Sequence, residues 1–268
     1  MDSEKKIENI IEVRNLVASY GERVILDRIN LQVRRGETLV ILGGSGSGKS
    51  TLLRHMIGLH RPVSGEVFLK GKDITKLSEE ELSKILRKVG VVFQSSALFN
   101  SLTVGDNVAL PLREHTRLEE STIQIMIKIK LDMVGLSGCE NYMPSELSGG
   151  MRKRAAFARA ISMDPEILFC DEPSAGLDPI VAAGLDQLIL KLKRALKMTI
   201  VVVTHEMASM YTIADRVVML HGGKIIFCGT VEEFKASDNE RVRQFIERRP
   251  AEYGEYELGR YARALTSR

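Results

Sequence analysis

Thr38-Leu39-Val40-Ile41-Leu42 runs directly into Gly43-Gly44-Ser45-Gly46-Ser47-Gly48-Lys49-Ser50-Thr51. The first five residues read as a short, fully apolar strand. The first eight of the nine that follow fit the pattern G-x-x-x-x-G-K-[ST], with Gly43 opening it and Gly48-Lys49-Ser50 closing it. Phosphate binding needs backbone N–H groups aimed at one point with no side chains in the way. Glycines allow that approach, and a helix starting just after the loop adds the positive end of its dipole. In this pattern residues Gly43 to Thr51 form the cradle, Lys49 reaches the β- and γ-phosphates, and the Ser50 hydroxyl ligates Mg²⁺.

Outward from the loop, the chain reads as α/β. Residues 11 to 35 alternate apolar and polar about turn signals at Tyr20-Gly21-Glu22 and predict two strands. A helix is expected over Thr51 to Leu59, a strand over Gly65 to Leu69, a helix over Ser78 to Lys88 with Ser78 and Glu81 as a capping box, and a strand over Val89 to Phe93. Ile167 to Cys170 and Thr199 to Val203 are nearly all apolar, as strands of a parallel sheet covered on both faces are, and the helical stretch Val181 to Leu196 between them supplies a crossover. Val217 to Leu220 and Ile225 to Cys228 flank His221-Gly222-Gly223-Lys224 as a hairpin.

Residues 95 to 164 predict helices with one conflict. Ile123, Ile125, Ile127, Ile129 and Leu131 repeat every second residue, as a strand does, while Ile123, Ile127, Leu131 and Val134 repeat at helical spacing. The length of the stretch, with Met126, Lys128, Lys130 and Met133 inside it, favours helix.

Two further segments carry chemistry. The run Ile167 to Cys170 ends in Asp171-Glu172, which places two carboxylates at the C-terminal edge of the sheet, where α/β folds seat their ligands. Asp171 is expected to hold Mg²⁺ through water, and Glu172 to polarise the attacking water as general base. In Leu147-Ser148-Gly149-Gly150-Met151, Ser148 can cap the following helix while the two glycines leave its N-terminus bare, which makes a second anion site. One chain cannot easily place both anion sites on one phosphate.

In this order the three segments resemble the ATPase subunit of the ATP-binding-cassette (ABC) family, over about residues 8 to 236. The resemblance implies a RecA-like P-loop core, an N-terminal antiparallel β subdomain and a helical subdomain inserted at about residues 95 to 164. It implies ATP and Mg²⁺ as cofactors, with Tyr20 stacking on adenine, Gln94 meeting Mg²⁺ or water, and His205 contacting the γ-phosphate. It also implies a homodimer, in which Ser148, Gly149 and Gly150 complete the partner copy's site and Asp178, within Ser174-Ala175-Gly176-Leu177-Asp178-Pro179, couples the two. The chain departs from the commonest family form in one place: Met151 stands where glutamine is usual, which puts only a local polar contact in question.

Ala97 to Thr116, ending in Pro111-Leu112-Arg113-Glu114-His115-Thr116, resembles the ATPases of Mla-type (MCE-associated) phospholipid transport systems, as does Pro144 to Met151. That resemblance implies an inner-membrane permease and an MCE-domain lipid carrier as partners, phospholipid moving between the inner and outer membranes, and a peripheral site on the cytoplasmic face of the inner membrane. Leu98, Phe99 and Leu102 are the expected apolar seat for the permease. The alternatives are a transporter of another cargo, or a non-transport ATPase acting on nucleic acid or the ribosome. Members of that last class usually carry a long coiled coil or two cassettes in one chain, and neither is visible here.

The whole chain sets bounds on these readings. It has 268 residues, 44% hydrophobic and 27% charged, which suits a globular protein with a sizeable core. A net charge of +3 gives no argument for nucleic acid, so no direct nucleic-acid partner is expected. No apolar run approaches a membrane span, and Met1-Asp2-Ser3-Glu4-Lys5-Lys6 leads into no signal-like apolar stretch, so a cytosolic chain is expected. Cys139, Cys170 and Cys228 have no metal-ligand spacing, and Cys170 is expected in the core. Arg152, Lys153, Arg154 and Arg159 read as a solvated helix face. In the tail, residues 237 to 268, Val242, Phe245 and Ile246 share a helical face ahead of Pro250. Tyr253, Tyr256, Leu258, Tyr261 and Leu265 follow as candidate anchors on a neighbouring subunit.

Overall fold

The computed structural model describes residues 8–249, so the expectations for Pro250 and for residues 251–268 lie outside the described residues. β1 (Asn9–Tyr20) and β2 (Arg23–Arg34) precede β3 (Thr38–Leu42), which leads into α1 (Lys49–Met56); β4 (Ser64–Leu69) and the short β5 (Lys72–Asp73) follow. After α2 (Glu79–Leu86) and β6 (Val89–Val92) come α3 (Val104–His115), α4 (Glu120–Met133) and, past a 3₁₀ turn at Pro144–Glu146, α5 (Gly149–Ala160). β7 (Ile167–Asp171), α6 (Pro179–Leu196), β8 (Thr199–Val203) and α7 (Met207–Ile213) complete the crossover region. The hairpin β9 (Arg216–His221) and β10 (Lys224–Thr230), then α8 (Val231–Lys235) and α9 (Glu240–Ile246), end the described chain.

Two sheets result. β2-β1-β4-β5 is antiparallel throughout, and β10-β9-β3-β8-β7-β6 is parallel except for its terminal hairpin. Every residue of β3, β7 and β8 is buried, because the larger sheet is covered on both faces. The strand period of two sorts their side chains. Val40, Leu42, Leu168, Cys170, Ile200 and Val202 join the core shared with α3 to α6, while Leu39, Ile41, Ile167, Phe169, Val201 and Val203 face α1 and the smaller sheet. Cys170 is fully buried, as expected, and burial pushes its thiol pKa far up.

The conflict at residues 123 to 131 resolves as helix. In α4, Ile123, Ile127 and Leu131 are 2%, 1% and 0% exposed, whereas Ile125 and Ile129 are 61% and 51% exposed. An isoleucine in a helix interior costs at most about 0.7 kcal/mol relative to alanine. Burying one contributes about 1.5–3 kcal/mol. Three buried positions on one face therefore outweigh the β-branched penalty of the whole run.

Two helix starts differ from expectation. α1 opens at Lys49, two residues before Thr51, because Gly48 serves as N-cap at φ 102°, a left-handed backbone that glycine tolerates. α6 opens at Pro179 because the Asp178 carboxylate caps it, accepting from the N–H groups of Ile180 and Val181 at 3.1 and 3.0 Å. The Ser78–Glu81 capping box of α2 forms as expected.

Candidate functional site

β3, β6, β7 and β8 all run parallel, so their C-terminal ends open on one edge of the sheet. The glycine loop follows β3, Gln94 follows β6, Glu172 follows β7 and His205 follows β8. Parallel pairing is therefore what assembles residues that are up to 162 positions apart in sequence, from Gly43 to His205.

The glycine loop divides by function. A Cβ on Gly43 (φ 154°) would lie 2.4 Å from the Leu220 carbonyl oxygen, and one on Gly48 would lie 2.6 Å from Leu26 Cδ2, so these two are fixed by packing. A Cβ on Gly44 or Gly46 would meet nothing within 4 Å, so these two line open space. α1 starts there with no side-chain cap and no acidic residue in its first turn, leaving its N–H groups for an anion. Ser47 is buried and its Oγ has no hydrogen-bond partner. A buried hydroxyl without a partner beside bare helix N–H groups fits a phosphate-bearing ligand.

Lys49 is buried and its Nζ donates to the carbonyls of Gly43 and Gly44 at 2.8 and 3.0 Å. Burial pushes its pKa below the usual lysine range, while the negative charges of Glu172 and Asp171 oppose that shift. The Ser50 hydroxyl donates to Asp171 Oδ1 at 2.9 Å. A hydroxyl beside a carboxylate at the sheet edge is an all-oxygen donor pair of the kind Mg²⁺ accepts. Gln94 lies exposed at the end of β6.

Glu172 is 8% exposed and sits at φ 47°, a strained backbone for a residue with a Cβ. Its carboxylate faces His205 Nδ1, at 3.0 Å from Oε1 and 2.9 Å from Oε2, while the imidazole is 59% exposed. The structure thus brings together Lys49, Ser50, Asp171, Glu172 and His205. Tyr20 stands apart at the end of β1, 52% exposed, with its ring edge-on to His60 at 6.5 Å.

The second anion site has its own framework. Ser148 caps α5 by accepting from the Met151 N–H at 3.3 Å, and no acidic residue lies in the first turn. A Cβ on Gly149 would meet Leu177 at 3.6 Å, and one on Gly150 would meet Val181 at 2.7 Å. The bare start of α5 is therefore packed against the Ser174–Pro179 connection and the first turn of α6. Asp178 and Ile180 beside it are exposed, Ile180 at 85%.

The reading of Arg152, Lys153, Arg154 and Arg159 as one solvated face is corrected. Only Arg152 is exposed, and Lys153 is buried. All four donate to backbone carbonyls: Arg152 to Leu147, Lys153 to Gln94, Arg154 to Val134, and Arg159 to Ser96 and Ala97. Nothing local in the sequence carries this, because each partner except Leu147 comes from a different element. Of the three apolar residues expected at a docking seat, Phe99 is 51% exposed, and it lines a groove of about 650 Å³ with Leu86, Leu110, Pro111, His115 and Met163. Leu98 packs on the core instead, and Leu102 is half-buried.

A second cavity, of about 860 Å³, lies beside Gly44 and His205 and is lined also by Asp186, Glu206 and Ser209. Burial pushes the Asp186 carboxyl up to about 6, opposed by a hydrogen bond from Ser209 and reinforced by Glu206. No sequence pattern singled it out.

The ABC transporter family pattern matches residues 26–175. The chain is 45% identical over 239 residues to the intermembrane phospholipid transport system ATP-binding protein MlaF of Haemophilus influenzae, covering 89% of this chain and 90% of that one. It is 42% identical over 244 residues to MlaF of Escherichia coli K12, covering 91% of each. It is 44% identical over 236 residues to a probable ribonucleotide transport ATP-binding protein, mkl, of Mycobacterium leprae, covering 88% and 68%. Among solved structures it resembles a dimeric ATP-binding cassette in a post-hydrolysis state bound to ADP and Pi, with TM-score 0.77 and 34% identity, over 82% of this chain and 98% of that one. It also resembles cbiO1 of the cbiONQ ABC transporter complex from Clostridium perfringens, with TM-score 0.79 and 29% identity, over 97% and 99%.

Proposed function

Because the chain belongs to the ABC transporter family of ATPases, we propose that it hydrolyses ATP to power phospholipid transport between the inner and outer membranes, in a complex with a permease and an MCE-domain lipid carrier. What carries the proposal is a cluster of Ser50, Asp171, Glu172 and His205 on one sheet edge, plus a separate bare helix start that suits a phosphate from elsewhere, in a chain whose likeness to MlaF spans 89% of this chain and 90% of that one.

In this reading the triphosphate lies along residues Gly43 to Thr51 with adenine on Tyr20. Lys49 exchanges the Gly43 and Gly44 carbonyls for the β- and γ-phosphates. Mg²⁺, held by Ser50, Gln94 and Asp171, supplies charge neutralisation at the phosphates. Glu172 takes the proton of the water that attacks the γ-phosphorus, and the bond to the β-phosphate oxygen breaks. His205 turns Nδ1 to Glu172, which leaves its Nε2 side for a γ-phosphate oxygen.

Ser148, Gly149 and Gly150 meet the γ-phosphate held by a second copy, and Asp178 and Ile180 lie at that interface. ATP thereby favours the closed pair by binding it more tightly than the open one. Closure moves the permease, which docks in the groove at Phe99. No helix among the described residues is long and apolar enough to cross a membrane. We place the chain at the cytoplasmic face of the inner membrane, held there by the permease.

Purification of the tagged full-length chain from native membranes in mild detergent tests the partners. Mass spectrometry is expected to find a polytopic permease, an MCE-domain protein and phospholipid. A permease accompanied by a soluble-solute binding protein contradicts the cargo and leaves the ATPase chemistry in place.

A further inference from the structure

The connection after β6 is held in an unfavourable shape. Ser96 and Ala97 are successive non-glycine residues at φ 65° and 50°. Left-handed backbone is disfavoured for L-residues by the contact of Cβ with the following carbonyl, and it persists only where surroundings impose it. The surroundings here are two cations of α5. Arg159 Nη1 donates to the Ala97 carbonyl at 2.7 Å and Nη2 to the Ser96 carbonyl at 3.1 Å. Lys153 Nζ donates to the Gln94 carbonyl at 2.6 Å.

Lys153 is 6% exposed, and among the described residues neither it nor Arg159 forms an ion pair with a carboxylate. Burial lowers the pKa of both, and at Lys153 the charge of Glu172 pulls the other way. A largely buried ammonium held for the sake of one carbonyl is costly. A purely structural contact of that kind could be made by a neutral donor. The same helix starts at Ser148, the bare end assigned to the partner's phosphate, and the same loop leads from Gln94 to Phe99. α5 is therefore one rigid body touching the partner-facing anion site at its start and the Gln94 loop along its length.

We infer that Lys153 is a positioning residue for hydrolysis, which acts through the Gln94 carbonyl to orient the Gln94 side chain beside the hydrolytic cluster, and so ties that side chain to the helix that would sense the second copy. This rests on the proposed role of Gln94. The structural basis is the pairing of a buried cation, which forms no ion pair among the described residues, with a loop strained at Ser96 and Ala97.

Steady-state ATP hydrolysis by the full-length chain in its membrane complex tests the inference, with Lys153→Met, Lys153→Arg, Gln94→Ala and the Gln94→Ala/Lys153→Met double variant. Lys153→Met is expected to lower kcat by about tenfold with KM for ATP within about twofold of the starting protein, the signature of an interaction made only on the way to the transition state. Lys153→Arg, which keeps a charged donor, is expected to recover at least about half of kcat. If the methionine variant does not fold, Lys153→Gln replaces it, with the same direction expected. The double variant is expected to be no slower than Gln94→Ala alone, because residues acting through one another are not additive. Multiplying losses in the double variant, or a loss carried wholly in KM, overturns the inference. An unaffected Gln94→Ala also overturns it, while the ATPase reading stands or falls separately on Glu172.

Discussion

Glu172→Gln is expected to lower ATP turnover by about 10²–10⁴-fold while equilibrium ATP affinity changes little. The side chain is buried and already bonded to His205, and glutamine has the same shape and can keep that contact. What it loses is the ability to take a proton from water. The positive φ of Glu172 is set by the backbone and is unaffected by the swap. If the proposed closed pair needs hydrolysis to reopen, the variant should also accumulate as an ATP-bound dimer. Phosphate release, nucleotide binding and molar mass by light scattering check the three parts together. A variant that turns over ATP at the original rate removes Glu172 as the base. A variant that binds no ATP shows that the substitution has damaged the loop instead.

Ser148→Asp is expected to abolish turnover by a different route. Aspartate caps a helix as well as serine does, so α5 should form with its start intact. The new carboxylate would occupy the point where the second copy's γ-phosphate is to sit. Two unit charges about 4 Å apart at an effective dielectric near 20 repel by about 4 kcal/mol, or roughly a thousandfold in an equilibrium constant. Each chain should still bind ATP, since Ser148 is outside its own glycine loop, but the pair should not close. The informative experiment mixes Ser148→Asp with Glu172→Gln chains. One of the two composite sites then has Ser148 and Glu172 both intact, whereas neither parent has any, so mixing should restore part of the turnover. Full activity of Ser148→Asp alone would mean that hydrolysis is completed within one chain.

These expectations trace to residues of unequal legibility. The loop at Gly43 to Thr51, the carboxylates Asp171 and Glu172, and the capped glycines after Ser148 could be singled out directly, because each proposed role falls on a short contiguous run. The buried strands β3, β7 and β8 were legible for the same reason, since a strand covered on both faces is apolar without interruption. At Ile123 to Leu131 the local pattern supported two periods, and only the packing face separated them.

The basic residues of α5 were misread because their partners lie far off in the chain. Lys153 reaches a carbonyl 59 residues away and Arg159 reaches carbonyls 62 and 63 away. A lysine between two arginines on a helix is normally solvated, and only tertiary structure reveals that this one is buried. Leu98, Phe99 and Leu102 read alike as an apolar seat, yet of the three only Phe99 is exposed, while its neighbour Leu98 packs on the core. The seat for a partner is set by which of adjacent side chains the fold leaves outside.

Relatives of nearly equal identity bear names for phospholipid and for ribonucleotide transport, so the cargo needs a test as direct as the chemistry does. The most direct measurement is ATP-dependent movement of a labelled phospholipid by the purified membrane complex in proteoliposomes, run beside the complex carrying Glu172→Gln and beside a labelled ribonucleotide. Phospholipid movement that needs ATP and disappears in the Glu172 variant is the predicted result. Ribonucleotide movement with the same dependence, and static phospholipid, would contradict it.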